Sequence, residues 1–303
     1  MQPFGVVEAG STFSKTYIVH GAGEVEFLDV VPIPFKQNIK KRGDVDPSDL
    51  LLLVSAVRSL LPKAPRVHVF GTSPFRGLEV SQIARIGREL EHGGAASFRV
   101  VSAEEEGDLT ARGATRSLSV PGNIAVMVGG GGSTEVFVFD RTGGAEKSLS
   151  AIGVGDVNEQ FPDLAENVAR SSPQEVTGWV SDRLLPMHQK AEVLVLAGGD
   201  FPLLYLNAGY RLVPNPYSSD PEKKFLLANA DKLSQDEVFY KNLGLDSFRE
   251  LTPDTPSWWD GARAMCAFVS AVASQVGATQ LIPTRISMIF GVADVLSGRD
   301  ETI

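Results

Sequence analysis

The chain has 303 residues, of which 43% are hydrophobic, 21% charged and 8% aromatic. That is the composition of a globular protein long enough for two lobes of about 100–200 residues each, and it excludes a disordered, collagen-like or disulfide-framework protein. Its 28 Lys and Arg against 37 Asp and Glu give a net charge of −9, so general attraction to nucleic acid or anionic lipid is not expected, and a polyanionic ligand needs a local basic pocket. Cys266 is the single cysteine, and its neighbours Ala264, Met265, Ala267 and Phe268 read as helix packing rather than a reactive thiol. The start Met1–Gly5 lacks the pattern of a signal peptide. The most apolar long stretch, Ala262–Val276, carries Arg263, Ser270, Ser274 and Gln275. The expectation is a soluble, cytoplasmic protein with no membrane and no nucleic-acid partner.

From the N-terminus, Val6–Val19 reads as a β-branched strand, a Gly10-Ser11-Thr12 turn and a second strand. A third strand follows around Glu24–Ile33. A helix starts near Asp46-Pro47-Ser48-Asp49, where Asp46 can accept the first amides and Pro47 suits the first helical position. Leu50, Leu53, Val54, Val57, Leu60 and Leu61 then fall on one face. Next come a strand at Arg66–Phe70, a helix at Leu78–Glu91 closed by Gly93-Gly94, a strand at Phe98–Val101 and a helix from Glu104 onward.

The second half repeats this order. Val126–Phe139 reads as strand, Gly129–Thr134 turn and strand, with Gly132 matched to Gly10, 122 positions apart. A turn at Arg141–Gly144 leads to a third strand at Glu146–Ile152, helices around Asp156–Ala169 and Gln174–His188, and a buried strand at Glu192–Ala197. Val213–Pro221 and Pro253–Pro256 read as loops. A long apolar helix over Ser257–Val276, with Trp258-Trp259 anchoring its start, leads into a strand at Gln280–Ile282. Strand-rich starts followed by alternating helices and strands imply two α/β lobes with a cleft between them.

Several constellations could carry chemistry. The run Gly129–Thr134 lets the backbone approach a ligand closely, with Ser133 and Thr134 supplying hydroxyls, although a glycine-rich β-turn accounts for it equally. It is neither a Walker motif nor a dinucleotide fingerprint, because a strand follows it. Paired with Gly10-Ser11-Thr12, it suggests two turns gripping a phosphate chain. Gly71–Arg76 lies between a strand end and the next helix, where Arg76 could hold a phosphate or simply be solvated. Glu104-Glu105-Glu106 either favours a helix N-terminus capped by Ser102 or sends one carboxylate inward as a general base. The four histidines, His20, His68, His92 and His188, have no zinc spacing. There is no serine-hydrolase elbow.

In this order the motifs resemble the exopolyphosphatase and guanosine pentaphosphate phosphohydrolase (Ppx/GppA) family, within the superfamily of acetate and sugar kinases, heat-shock ATPases and actin. Val7–Lys15 resembles the first phosphate motif, Gly71–Arg76 is similar to the family's Ala-Thr-Ser-Ala-x-Arg, and Val100–Leu109 resembles the segment whose last glutamate is catalytic, here Glu106. Gly130–Glu135 matches the second phosphate motif. Ile152–Gly155 and Ala197–Gly199 resemble further family turns. Three departures stand out: Glu8 replaces an aspartate, Val128 replaces the aspartate of the second motif, and Arg285–Gly291 has lost most charges of the family's C-terminal segment.

The resemblance implies two ribonuclease H-like (actin-like ATPase) lobes related by duplication with an interdomain cleft, in the short two-domain form. The expected lobes are 1–118 and 119–285, with 286–303 packing back on the first. It further implies a phosphohydrolase that releases terminal phosphate from inorganic polyphosphate or guanosine pentaphosphate. Glu106 would be the base. Gly10, Ser11, Thr12, Lys15, Arg76, Gly131, Gly132, Ser133 and Thr134 would hold the phosphates. Glu8 and Glu135 would bind Mg²⁺ or another divalent cation. The alternatives are a polyphosphate or alarmone sensor without turnover, favoured by Val128, and an ATP-dependent kinase, for which Ala197–Asp200 is only a weak adenosine turn. A homodimer is left open.

Overall fold

The structure is a computed structural model, and it describes residues 2–298 apart from 22, 116, 117, 119, 121, 141–143, 200, 215, 218–223, 231–243 and 252–255. The chain divides into two compact units, Met1–Leu109 with Met288–Ile303, and Thr110–Ser287.

The first unit opens with β1 (Phe4–Ala9), β2 (Phe13–Val19) and β3 (Val25–Pro32), an antiparallel meander. Helix α1 (Phe35–Arg42) follows, and the sequence reading missed it. Only Phe35 of FKQNIKKR is buried, so the segment carries no apolar stripe. Helix α2 (Pro47–Leu60) begins as its sequence dictates: the Asp46 side chain accepts from the Ser48 amide and Pro47 is the first helical residue. Then come β4 (Val67–Gly71), α3 (Val80–His92), β5 (Ser97–Val100) and α4 (Ala103–Thr115), which runs through the division at Leu109. The sheet order is β3-β2-β1-β4-β5, with β1, β4 and β5 parallel. Val7 and Ala9 on one face pack with Leu53, Val57, Ile86 and Leu90. Burial of both faces explains why β1 and β4 read as nearly continuous apolar runs.

The second unit repeats the plan with β6 (Ile124–Gly129), β7 (Thr134–Phe139), β8 (Ala145–Ser150), α5 (Val154–Gln160), α6 (Pro173–Ser181) and β9 (Val193–Ala197). After α7 (Phe201–Asn207) come β10 (Leu212–Pro214), β11 (Lys224–Leu226), β12 (Ala228–Asn229) and α8 (Leu245–Arg249). The chain closes with α9 (Ala262–Val276), β13 (Gln280–Pro283) and α10 (Met288–Leu296). The order β12-β13-β9-β6-β7-β8 contains the first unit's order, with β8, β7, β6, β9 and β13 standing for β3, β2, β1, β4 and β5. Helix α10 lies in the first unit, where Met288, Ile289 and Val292 pack with Phe4, Val6, Tyr17, Phe70 and Leu109 on the second face of that sheet.

Some expected boundaries are corrected. The helix expected over Asp156–Ala169 stops at Gln160, and Pro162 opens a separate 3₁₀ turn, because proline cannot donate its amide into a continuing helix. The helix expected to reach His188 ends at Ser181. The long apolar helix begins at Ala262, preceded by a 3₁₀ segment, Pro256–Gly261. Trp259 in that segment is buried and stacks on Phe248 with ring centroids 4.7 Å apart. The Trp258 side chain, 141–143 of the expected turn, Asp200, and most of the two expected loops lie outside the described residues. Cys266 sits in α9, partly buried against the core.

Candidate functional site

The two hairpins fix how the lobes correspond. Ala9 pairs with Ser14 and Gly129 with Thr134. The turns close identically, with the Gly10 amide donating to the Phe13 carbonyl at 3.0 Å and the Gly130 amide to the Ser133 carbonyl at 3.1 Å. Gly10 therefore corresponds to Gly130, 120 positions on, and not to Gly132. The expected match aligned the Ser-Thr letters of the two turns. A shift of two residues leaves every side chain on the same face, so strand periodicity could not expose the error.

This register reassigns the hydroxyls. Ser133 and Thr134 stand where Phe13 and Ser14 stand, at the entry to the second strand, while Gly131 and Gly132 replace Ser11 and Thr12. Thr134 is 1% exposed and its hydroxyl donates to the Ile152 carbonyl at 3.0 Å, so it braces the hairpin. The glycine turn is held from behind by the start of α5. The amides of Val154 and Gly155 donate to the carbonyls of Gly130 and Gly131, both at 3.0 Å. Since the described peptide bonds are trans, the amides of Gly131 and Gly132 point opposite to the Gly130 and Gly131 carbonyls that α5 engages. The first lobe repeats the clasp, with the Lys36 amide of α1 donating to the Ser11 carbonyl at 2.9 Å.

In the first lobe the segment Gly71–Arg76 is tied to β1. Thr72 donates through both its amide and its hydroxyl to the Ala9 carbonyl, each at 3.1 Å. Gly71 lets the Phe75 ring approach, since a Cβ there would lie 3.0 Å from it, and Phe75 is fully buried between Phe35 and Phe98. This anchor delivers Arg76 to the C-terminal ends of β4 and β5. The Arg76 Nε donates to the Val101 carbonyl at 2.9 Å, and its Nη2 donates to Glu106 Oε2 in an ion pair. The structure thus brings together two residues singled out separately from sequence.

The glutamate triplet is also sorted. Ser102 accepts the Glu105 amide at 3.0 Å, Glu105 pairs with Arg99 at 2.6 Å, Glu106 pairs with Arg76, and Glu104 is exposed. Arg99 lies over the Phe70 ring, 5.4 Å from its centroid. It ends a row in register across the sheet: Lys15, Glu8, Phe70, Arg99. The Tyr17 hydroxyl donates to Glu8 Oε2 at 3.3 Å. Sequence reasoning missed Tyr17, Arg99 and Thr72. Tyr17 was findable, because two residues beyond Lys15 on a strand is the same face.

The corresponding row in the second lobe reads Leu149, Glu135, Val128, Ala197. Glu135 is 3% exposed and Val128 is 5% exposed. Val128 cannot ligate a cation, and among the described residues no group of three or more His, Cys, Asp or Glu side chains could hold a metal. Of the expected ligands, Glu8 lies in the first unit and Glu135 in the second. Among the described residues no helix is long and apolar enough to cross a membrane.

No protein-family model matches the sequence, and no curated protein matches it either. Solved structures do. An exopolyphosphatase from Cytophaga hutchinsonii aligns with a TM-score of 0.77 at 14% identity, over 99% of this chain and 99% of that one. The Aquifex aeolicus member of the Ppx/GppA family aligns with a TM-score of 0.72 at 15% identity, again over 99% of each chain. A type II variant of the Aquifex aeolicus Ppx/GppA phosphatase aligns at 0.68 and 15% identity, over 96% of this chain and 98% of that one. The molecule therefore consists of two α/β lobes of the duplicated, actin-like and heat-shock-ATPase-like architecture. Within that architecture its fold is that of the Ppx/GppA exopolyphosphatases.

Proposed function

We propose that this protein is a phosphohydrolase that releases the terminal phosphate of inorganic polyphosphate or of guanosine pentaphosphate. The observation that carries the reading is the Arg76–Glu106 pair, a bidentate-capable cation beside a carboxylate, at the strand ends adjoining the Gly10–Thr12 turn. Open α/β sheets bind ligands at the C-terminal ends of their strands. Arg76 and Lys15 neutralise the terminal phosphate, and the Gly10 turn presents the hydroxyls of Ser11 and Thr12 to position it. Glu106 takes a proton from water as its oxygen attacks the terminal phosphorus, and the P–O bond to the shortened chain breaks. Mg²⁺, or another divalent cation, would enter as the counter-ion of the polyphosphate and would supply charge neutralisation there. The net charge of −9 and the lone cysteine support action in the cytoplasm.

Phosphate release from long-chain polyphosphate and from guanosine pentaphosphate tests this reading. Release above a heat-killed control supports it; none at any Mg²⁺ concentration refutes it. Val128 favours a second reading, a sensor that binds such an anion without turnover. Calorimetric binding of guanosine tetraphosphate or polyphosphate without product selects that reading.

A further inference from the structure

Arg76 is held asymmetrically. Its Nε is fixed on a backbone carbonyl, that of Val101 at 2.9 Å, so the guanidinium cannot swing away with its partner. Its Nη2 donates to a side chain, the Glu106 carboxylate, and both side chains keep about a fifth of their surface exposed, 22% and 19%. A carboxylate oxygen on a guanidinium edge stands in for a phosphate oxygen, because the two anions accept the same forked donors. The neighbouring pair Arg99–Glu105 shows the contrast: Arg99 lies over Phe70 and belongs to the charged row of the sheet, with no turn of the Gly10–Thr12 kind tied to it.

Building on the function proposed above, we infer that the Glu106 carboxylate occupies the seat on Arg76 that the terminal phosphate takes, and that phosphate binding displaces it. The two roles required of this pair exclude each other while the pair is intact. A Glu106 oxygen bonded to Arg76 is a weakened proton acceptor, and an Arg76 edge filled by carboxylate does not neutralise phosphate. Exchange resolves both at once: phosphate takes the Nη edge, Nε stays on Val101, and Glu106 is relieved of the guanidinium that weakens it as a base. The base is thus unmasked only when the anion to be cleaved is seated. That gives the site selectivity for ligands presenting a terminal, doubly charged phosphoryl group.

The test is calorimetric binding of two probes that are not cleaved, inorganic phosphate and methylenediphosphonate. Wild type, Glu106→Gln, Glu105→Gln and Arg76→Ala with and without Glu106→Gln are compared at fixed ionic strength. Removing the competing carboxylate should tighten binding roughly tenfold in Glu106→Gln, the scale of one partly exposed charge-assisted contact. Glu105→Gln should stay within about twofold, and the Arg76→Ala background should abolish the gain. Equal or weaker binding by Glu106→Gln, or an equal gain from Glu105→Gln, overturns the inference while leaving the function standing. No binding by any of the proteins overturns both. Should Glu106→Gln fail to fold, the Glu106 side-chain carboxyl ¹³C resonance in wild type decides: it must move as phosphate saturates the protein, and a resonance that stays fixed at saturation overturns the exchange.

Discussion

Gly153 tests whether the glycine turn of the second lobe is a fitted part or a loose loop. Its backbone is extended, with φ −142° and ψ −173°, so an alanine there has no conformational penalty. The penalty is steric: a Cβ would lie 2.5 Å from the Gly132 nitrogen, 2.6 Å from the Gly130 oxygen and 2.7 Å from the Gly131 carbonyl carbon. These are backbone atoms and cannot rotate aside, so either the turn or the start of α5 must move. Movement strains or breaks the two 3.0 Å hydrogen bonds from Val154 and Gly155. Overpacking of about 1–3 kcal/mol, with about 1 kcal/mol for each of the two weakened bonds, puts Gly153→Ala about 3–5 kcal/mol below wild type. For a unit of the size Thr110–Ser287, each kcal/mol is worth about 2–4 °C, so the melting temperature of that unit should fall by roughly 10 °C. Gly178→Ala is the control: in α6 its Cβ would meet nothing within 4 Å, and alanine is the better helix former. Thermal unfolding followed by circular dichroism separates the two. A Gly153→Ala protein melting within about 2 °C of wild type, or a Gly178→Ala protein that falls equally far, refutes the clasp.

Glu106→Gln should cut turnover by roughly 10²–10⁴-fold because the amide cannot accept the proton of water, whereas Glu104→Gln, at an exposed position, should be close to silent; steady-state phosphate release checks both. Val128→Asp places a carboxylate at a 5% exposed position directly across from Glu135 and should cost about 3 kcal/mol or more. If that strand end can form a cation seat, Mg²⁺ should raise the melting temperature of the variant and not that of wild type; an equal response in both proteins removes the seat. Asp163 is pushed up by burial, but hydrogen bonds from Ser171 and the Arg170 amide outweigh this and hold its carboxyl below the usual aspartate value. Its stabilising contribution is therefore complete above the unfolded value near 3.9 and is lost as pH falls through the lower folded value. Asp163→Asn should be less stable than wild type in urea at pH 7, and the gap should close as the pH falls below about 4; a gap that widens there contradicts the assignment.

Much of the fold was legible because its core strands are buried on both faces and its helix starts carry explicit signals. Asp46-Pro47 fixes α2 to the residue, and Ser102 fixes the start of α4. What escaped notice lacked a periodic apolar signal. Helix α1 buries one side chain, and β10, β11 and β12 are two- or three-residue pairings set by their neighbours. In the site, residue types could nominate Arg76 and Glu106 but could not pair them, since a contact spanning 30 positions depends on where β4 and β5 end. Nor could the letters reveal that Gly153 supports the turn from behind. A glycine needed for close backbone approach reads like any other glycine until the opposing chain is in place.

The corrected register makes the divergence of the lobes chemically specific. Taking Gly10 with Gly130, the first lobe presents Glu8, Ser11, Thr12 and Lys15 where the second presents Val128, Gly131, Gly132 and Glu135. Ser11 and Thr12 have become glycines and Lys15 a buried carboxylate, while Ser14 is matched by the hydroxyl of Thr134. The clasp by the following helix is kept in both. With the clasp kept, the second turn offers the Ser133 hydroxyl and glycine backbone where the first offers the Ser11 and Thr12 side chains. Lys15, Arg76 and Glu106 all lie in the first lobe. A chain of net charge −9 needs such local cations to hold a polyanion, so the function proposed above rests on Lys15 and Arg76.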